Sequence, residues 1–217
     1  MINNKSFPVF GLLLFSCFLF SCQQKENKNT AENKNMRIPV SVNDSITLSI
    51  DKSPMDMIYF PVDYPQKKMD SSNMGNPKAR LIYSRPQKKG RIIFADSTVT
   101  QNFIQHYGQE WRLGANESTE VEFFTDVTIN GQKLAQGRYI IYCIPYAYKW
   151  VIVFNDNLFS WGLHVDKTKD VMKIELPVTK TDKSIEFLTM AFQEAAYGYN
   201  LLIEWDDIKV LMPVNFN

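Results

Sequence analysis

The chain has 217 residues, with 24 Lys plus Arg against 23 Asp plus Glu. Residues 1–21 contain a single Lys and no acidic residue, so the remainder is close to neutral. Such a balance argues against nucleic-acid binding, which needs a basic surface, and against an acidic solvating tail. The 4 Trp, 10 Tyr and 15 Phe supply enough apolar surface for one folded domain and exclude disorder over most of the chain.

An apolar run from Phe7 to Phe20 follows Lys5 and is too short to cross a bilayer comfortably, which predicts a secretory signal peptide over residues 1–21. The run ends in Leu19, Phe20, Ser21 and Cys22, which resembles the cleavage and lipidation box of bacterial lipoproteins. That resemblance implies that Cys22 becomes the acylated first residue, anchored in the membrane by its acyl chains. An ordinary signal peptide cut at another bond is the alternative.

The segment after Cys22 is predicted to be a flexible tether, with Cys22 and the tether together spanning residues 22–37. Residues 23–36 contain four Asn and three Lys and no aromatic residue, so they cannot bury enough apolar surface to fold. Gln23 stands where inner-membrane lipoproteins often carry Asp, so we expect the outer membrane, without a prediction of which face. Cys143 is the one cysteine left for the folded part, and no disulfide is expected.

From about Ile38 onward, apolar and polar residues alternate as in strands with one buried face. Val121 and Phe123, for example, alternate with Glu120 and Glu122. Two runs, 139–144 and 150–154, are apolar throughout, which is typical of strands covered on both faces or of strands that line an aromatic groove. We predict one β-rich domain over residues 38–217, an antiparallel β-sandwich that is jelly-roll-like or a partly closed barrel, with at most one or two short helices.

Local signals refine this prediction. Asn130 followed by Gly131 predicts a type I′ hairpin turn. Asp206 followed by Asp207 predicts a turn between two strands. Apolar residues at helical spacing predict a short helix around residues 97–107.

The richest cluster of unusual polar residues is the segment 111–119, where Arg112, Asn116 and Glu117 precede a predicted strand. Loops that lead into strands often present binding groups. The alternative is that Arg112 and Glu117 fix the turn, by pairing with each other or with the backbone, while Asn116 takes a left-handed conformation. A basic segment, residues 85–91, is a second candidate, with solvated loop charge as its alternative meaning.

Established catalytic motifs are missing from the sequence. His106 and His164 are far apart, no His or Cys cluster has zinc-ligand spacing, and there is no phosphate loop or dinucleotide fingerprint. We therefore expect no metal and no cofactor. Glu120 and Glu122 would lie about 7 Å apart on one side of a strand, the scale of a glycosidase acid pair, but a charged solvent face predicts the same pattern.

Several stretches, in one order, are similar to a known family: residues 53–57, 64–65, 82–91, 111–117, 137–139, 150–155, 161–162 and 205–210. They resemble the bacterial family catalogued as domain of unknown function 2911, over residues 53–217. The resemblance implies a secreted or lipid-anchored, mostly β protein and supplies no catalytic residue. The positions that recur in similar proteins, and that we select as a candidate ligand site, are Arg85, Trp111, Arg112, Asn116, Glu117 and Trp161.

Three functions remain open. The first is a non-enzymatic, lipid-anchored β-sandwich that binds an extracytoplasmic glycan or peptide through aromatic rings and converging polar groups. The second is a structural or assembly component of the envelope, whose exposed strand edge pairs with a partner. The third is a carbohydrate hydrolase that uses Glu117, or the pair Glu120 and Glu122, as acid and base.

Overall fold

A computed structural model describes residues 53–71 and 73–216, all within one compact unit, Asp44–Asn217. The predicted signal peptide, Cys22, the tether and the start of the predicted domain, residues 38–52, lie outside the described residues. The elements in chain order are β1 (Met55–Phe60), α1 (Tyr64–Asp70), β2 (Ala79–Ser84), β3 (Ile92–Ala95), β4 (Phe103–His106), β5 (Thr119–Phe123), β6 (Val127–Ile129), β7 (Gln132–Leu134), β8 (Gly137–Pro145), β9 (Lys149–Asn155), a 3₁₀ turn (Lys167–Lys169), β10 (Asp170–Glu194) and β11 (Tyr199–Phe216).

Most of the strands form one antiparallel sheet in the order β1-β2-β5-β8-β9-β10-β11-β6-β7. The long strand β10 pairs with β9 through residues 170–177 and with β11 through residues 178–194. It therefore passes from one layer to the other, and the sheet folds over into a β-sandwich-like arrangement. Within the described residues the sheet ends at β1 and β7 and is not closed into a barrel. The predicted mainly β, antiparallel fold is confirmed.

The alternating strands bury the faces that the sequence indicates. Met172, Ile174 and Leu176 on β10 are buried in the core, while the residues between them are exposed. The predicted two-sided burial of β8 and β9 is also present, because residues 140–143 and 152–155 are buried at every position. The outer side of these two strands is covered by the chain between β9 and β10, where Asn155 Nδ2 donates to Asp166 O at 2.8 Å.

The predicted helix at 97–107 is wrong. A turn follows Asp96, and residues 103–106 form β4, which pairs in parallel with β3 in a separate two-stranded sheet. The apolar spacing reflects half-buried strand positions rather than a helical face. The short helix is α1, where Pro65 lies in the first turn and Lys67 pairs with Asp63 at 2.7 Å. No helix in the described ranges is long and apolar enough to cross a membrane.

One predicted turn is confirmed and the other is wrong. Asn130 and Gly131 join β6 to β7 with φ of 47° and 82°, as a type I′ turn requires. Asp206 and Asp207 instead lie inside β11, at a register shift opposite β10. Asp206 has a left-handed φ of 54°, which lets one residue bulge while the strand continues.

Gly198 joins β10 to β11 with a φ of 84°, and a Cβ at this position would overlap the side-chain oxygen of Asn215. Gly131 has a similar φ of 82°, but nothing lies within 4 Å of its hypothetical Cβ. We predict that Gly198→Ala lowers the free energy of unfolding by up to about 1 kcal/mol more than Gly131→Ala, because both share the left-handed strain and the exposed Asn215 side chain must also rotate away from the new Cβ. Urea denaturation of the purified variants measures both values, and equal losses would contradict the predicted overlap.

Candidate functional site

The chain leaves the sheet after Trp111 and rejoins it at Thr119. Trp111 exchanges two backbone hydrogen bonds of 2.8 Å with Cys143 on β8. Thr119, the first residue of β5, pairs with Ile141, only two positions away on β8. Residues 112–118 are therefore pushed out of the line of β5 as a loop, called the 112–118 loop below.

Hydrogen bonds from side chains to the loop's own backbone carbonyl oxygens hold this loop in place. Thr119 Oγ1 donates to Leu113 O at 2.9 Å, and Arg112 Nη1 donates to Asn116 O at 2.9 Å. Leu113 and Asn116 have left-handed φ values of 58° and 65°, which Asn accommodates well. The turn-fixing contact of Arg112 and the left-handed Asn116 that the sequence offered as an alternative are both present.

Trp111 ties the loop to the core. Its ring stacks on Trp205 with centroids 5.7 Å apart, and Phe94 and Trp150 meet it edge-on at 5.3 and 5.9 Å. Its indole Nε1 donates to Gly114 O at 3.2 Å. Only 6% of Trp111 is exposed, so most of the ring packs in the core, and a small part is left to contact a ligand.

The basic segment 85–91, here called the 85–91 loop, lies beside the 112–118 loop. Lys88 Nζ contacts Asp206 Oδ1 at 2.6 Å, which anchors the loop to the bulge in β11. Arg91 donates from Nε to Lys88 O at 3.0 Å and from Nη2 to Gln87 O at 2.6 Å. The charges of Lys88 and Arg91 are therefore held in place, whereas Lys89 is exposed, as the alternative interpretation assumed for the whole segment.

The two loops line one cavity of about 680 Å³. Strand β4, the residues just before Trp111 and the chain between β9 and β10 complete its wall. The polar and charged residues of its lining are Ser53, Gln87, Lys89, Arg91, Gln105, Gln109, Glu110 and Arg112. The structure thus joins two segments that the sequence had offered as separate candidates.

The predicted site residues are only partly brought together. Arg112 and the exposed part of Trp111 line the cavity. Asn116 and Glu117 lie farther along the 112–118 loop, outside the cavity lining, and Glu117 is exposed. Arg85 also lies outside the lining; it donates to the backbone of β10 at 3.2 Å and pairs with a carboxylate on β1 at 3.7 Å.

Trp161 is 62% exposed and directly precedes Gly162, which lines the cavity, although Trp161 itself is not part of the lining. Its backbone oxygen accepts a hydrogen bond of 3.4 Å from Arg112 Nη1. The next residue, Gly162, lines the cavity with a φ of 79°, and a Cβ there would lie 2.7 Å from Arg112 Cβ. Only glycine allows the chain to approach Arg112 this closely, so Trp161 is held next to a residue of the lining.

Glu110 supplies a carboxylate to the cavity wall and forms an ion pair with Lys167 in the 3₁₀ turn. The hydrogen bond from Lys167 lowers the pKa of Glu110 below its usual value, although partial burial opposes this shift. Glu110, Gln105 and Gln109 were not selected from the sequence. Gln105 falls in the segment that was predicted to be helical, and nothing local marks the other two as cavity residues.

The residues considered for catalysis do not converge on the cavity. Glu120 accepts from Arg138 at 2.8 Å and Glu122 from Arg80 at 2.6 Å, as expected for a charged strand face. Burial raises the pKa of the Cys143 thiol well above its usual value, which suits a small core residue. In the part of the chain that the structure describes, no three His, Cys, Asp or Glu residues are grouped to hold a metal ion.

The contact between Lys88 and Asp206, which holds the 85–91 loop, predicts that the free energy of unfolding depends on pH. Burial alone would raise the pKa of Asp206, but hydrogen bonds from Lys88 and Ser184 outweigh it and lower the pKa below its usual value. The stabilisation from ionised Asp206 is therefore lost as the pH falls through this lowered pKa. We predict that the loss of unfolding free energy between about pH 5 and pH 2 is smaller in Asp206→Asn, by up to about 1 kcal/mol.

Asn suits the left-handed φ of this position, so the substitution tests charge rather than backbone strain. Asp182→Asn, at an exposed position, is the matched control. Chemical denaturation at a series of pH values measures the effect, and identical pH profiles for wild type and Asp206→Asn would contradict it.

With this geometry established, comparison with known proteins places the chain in a family. The family described as protein of unknown function (DUF2911) matches residues 65–214, well over half of the chain and all six predicted site residues. No curated protein and no solved structure matches the chain. The chain belongs to the family described as protein of unknown function (DUF2911).

Proposed function

We propose that this protein is a non-enzymatic binding module of the cell envelope, attached to the outer membrane through lipid on Cys22, and that its ligand is a glycan. The observation that carries the proposal is the cavity between the 85–91 and 112–118 loops. Its volume of about 680 Å³ falls within the range of small-molecule sites, about 300–1,000 Å³.

The lining favours a polyhydroxylated ligand over an apolar one. Gln87, Gln105 and Gln109 carry amide groups that both donate and accept hydrogen bonds, and one donor of Gln105 is used by Glu110 O at 2.9 Å. Arg91 and Arg112 add guanidinium donors in fixed positions. Sugar hydroxyls both donate and accept hydrogen bonds, so this mixture of groups suits them better than the backbone pattern of an extended peptide.

Trp161 adds a second argument for a glycan. Its ring is largely exposed and its neighbour Gly162 lines the cavity, so we infer that the ring packs against the C–H face of a sugar whose hydroxyls enter the polar cavity. A peptide, the other ligand class that the sequence left open, is a weaker match. An extended peptide would bind at a free strand edge rather than in this cavity.

Binding is favoured over hydrolysis. Most glycosidases need two carboxylates across the scissile bond. Among the described residues that line the cavity, Glu110 is the one acid, and it is engaged by Lys167. Glu117 lies outside the lining, and Glu120 and Glu122 pair with arginines.

An assembly role is the second candidate, favoured by strand β1. This strand pairs with β2 on one side and is an edge of the sheet in the described ranges. Met55 and Met57 on β1 are 51% and 44% exposed, which offers an apolar surface to a partner strand. Crosslinking from this strand in intact cells would capture a protein neighbour if assembly were the main role.

Removing the aromatic ring of Trp161 should weaken glycan binding. We predict that Trp161→Ala raises the Kd for glycans that bind the wild type by about tenfold, the equivalent of about 1.4 kcal/mol, because the stacked ring is lost. Tyr197→Ala, at an aromatic side chain that is 93% exposed and outside the cavity lining, is the matched control and should leave the Kd unchanged. Titration calorimetry measures both, and equal effects would argue against a role of Trp161 in binding.

The lipid anchor proposed on Cys22 can be tested separately from the cavity. We predict that cells fed a labelled fatty acid incorporate the label into the wild-type protein and that Cys22→Ser abolishes the incorporation, because the acylated sulfur is gone. Cys17→Ser and Cys143→Ser are the matched controls and should keep the label. An unlabelled wild-type protein would refute the lipid anchor and leave the cavity untouched.

A further inference from the structure

We propose that the cavity selects acidic glycans and that Lys89 and Arg91 bind the carboxylate of a uronic acid. This inference rests on the proposed function, because it names the class of glycan that the same site would accept.

The cavity has more positive than negative side chains. Lys89, Arg91 and Arg112 line it, against one carboxylate, that of Glu110. Glu110 is itself engaged by Lys167, so its charge is balanced from outside the lining. The whole chain carries a formal charge of only +1, so the surplus at the cavity is a local feature and not a share of a general basic surface.

Outside the cavity, the arginines that the structure describes have carboxylate partners. Arg80, Arg85 and Arg138 pair with Glu122, Asp56 and Glu120. Arg91 differs, because its side chain donates to backbone carbonyl oxygens, and within the described residues no carboxylate forms an ion pair with it. A carbonyl oxygen positions a guanidinium but does not cancel its charge.

Lys89 precedes Arg91 by two residues on the same loop and also lines the cavity. Its backbone N–H donates to Glu186 Oε1 at 2.9 Å, so that carboxylate binds the backbone of the loop. In the described part of the chain, the ammonium of Lys89 has no ion-pair partner. An anion in the cavity would therefore meet two charges that are not already neutralised by acidic side chains.

The way Arg91 is held favours a carboxylate in particular. Two of its nitrogens are fixed by Lys88 O and Gln87 O, so the planar group loses little freedom on binding. A planar guanidinium matches the planar carboxylate of a uronic acid, and hydrogen bonds between two charged groups are stronger than those between neutral ones. The amides in the lining then bind the sugar hydroxyls.

The test uses trigalacturonic acid, its fully methyl-esterified form and a sulfated oligosaccharide as probes of the purified full-length protein. Trigalacturonic acid should bind at least about tenfold tighter than its methyl ester. As salt rises from about 0.05 M to about 0.5 M, binding of the acid should weaken and binding of the ester should not change. Equal binding of acid and ester would overturn this inference and leave the proposed function standing. Binding of the sulfated probe alone would overturn the carboxylate assignment, and no binding by any of a broad glycan panel would overturn both proposals.

Substitutions of Lys89 and Arg91 test whether these two charges bind the acidic probe. Arg91→Gln should weaken binding of the acid by about tenfold or more, with Arg91→Lys retaining part of it, and Lys89→Asn should weaken it by about threefold to tenfold. Asn suits the left-handed φ of 48° at position 89. Lys133→Gln, on exposed β7, removes the same charge outside the cavity lining and is the control. Thermal unfolding confirms that each variant is folded, and a folded Arg91→Gln with wild-type affinity for the acid would refute the role of Arg91.

Discussion

The burial of the Trp111 indole is the interaction on which both the core and the cavity depend. The ring packs among three other aromatic side chains between the layers, and its backbone pairs with β8. Because β8 resumes its pairing with Thr119 only two positions away, the intervening residues have no place in the sheet and must project from it. Core packing at one residue thus creates the wall that carries Arg112. Losing such a ring typically costs about 3–5 kcal/mol, so sandwich and cavity wall are stabilised together.

Much of the fold could be predicted from the sequence because period-two alternation directly reflects one-sided burial. Met172, Ile174 and Leu176 illustrate this, and Asn130 with Gly131 marks a turn whose dihedral angles few other residue pairs accept. The failures have a common physical cause. Residues 103–106 and Asp206 owe their conformation to partners distant in sequence: β3 for the first, and Lys88 with Ser184 for the second. Local propensity cannot register such tertiary contacts.

The candidate site, like the fold, could be predicted from the sequence only in part. The sequence singled out the segments 85–91 and 111–117, and both contribute to the cavity wall. That they face one cavity could not be predicted, because their proximity depends on strand order and on the excursion after Trp111. The sequence also could not show which side chains are exposed. Trp111 and Trp161 look alike in the sequence, yet Trp111 is 6% and Trp161 62% exposed. Gln105, Gln109 and Glu110 carried no distinguishing local signal.

Strand β10 has a mechanical consequence. One continuous backbone belongs to both layers, and its two ends are hydrogen-bonded to different neighbours, β9 and β11. Neither layer can slide or peel away without breaking registry in the other, so the two behave as a single cooperative unit, in contrast to sandwiches whose sheets are joined only by loops. Strain applied to either layer is therefore transmitted to the other through the backbone of this one strand.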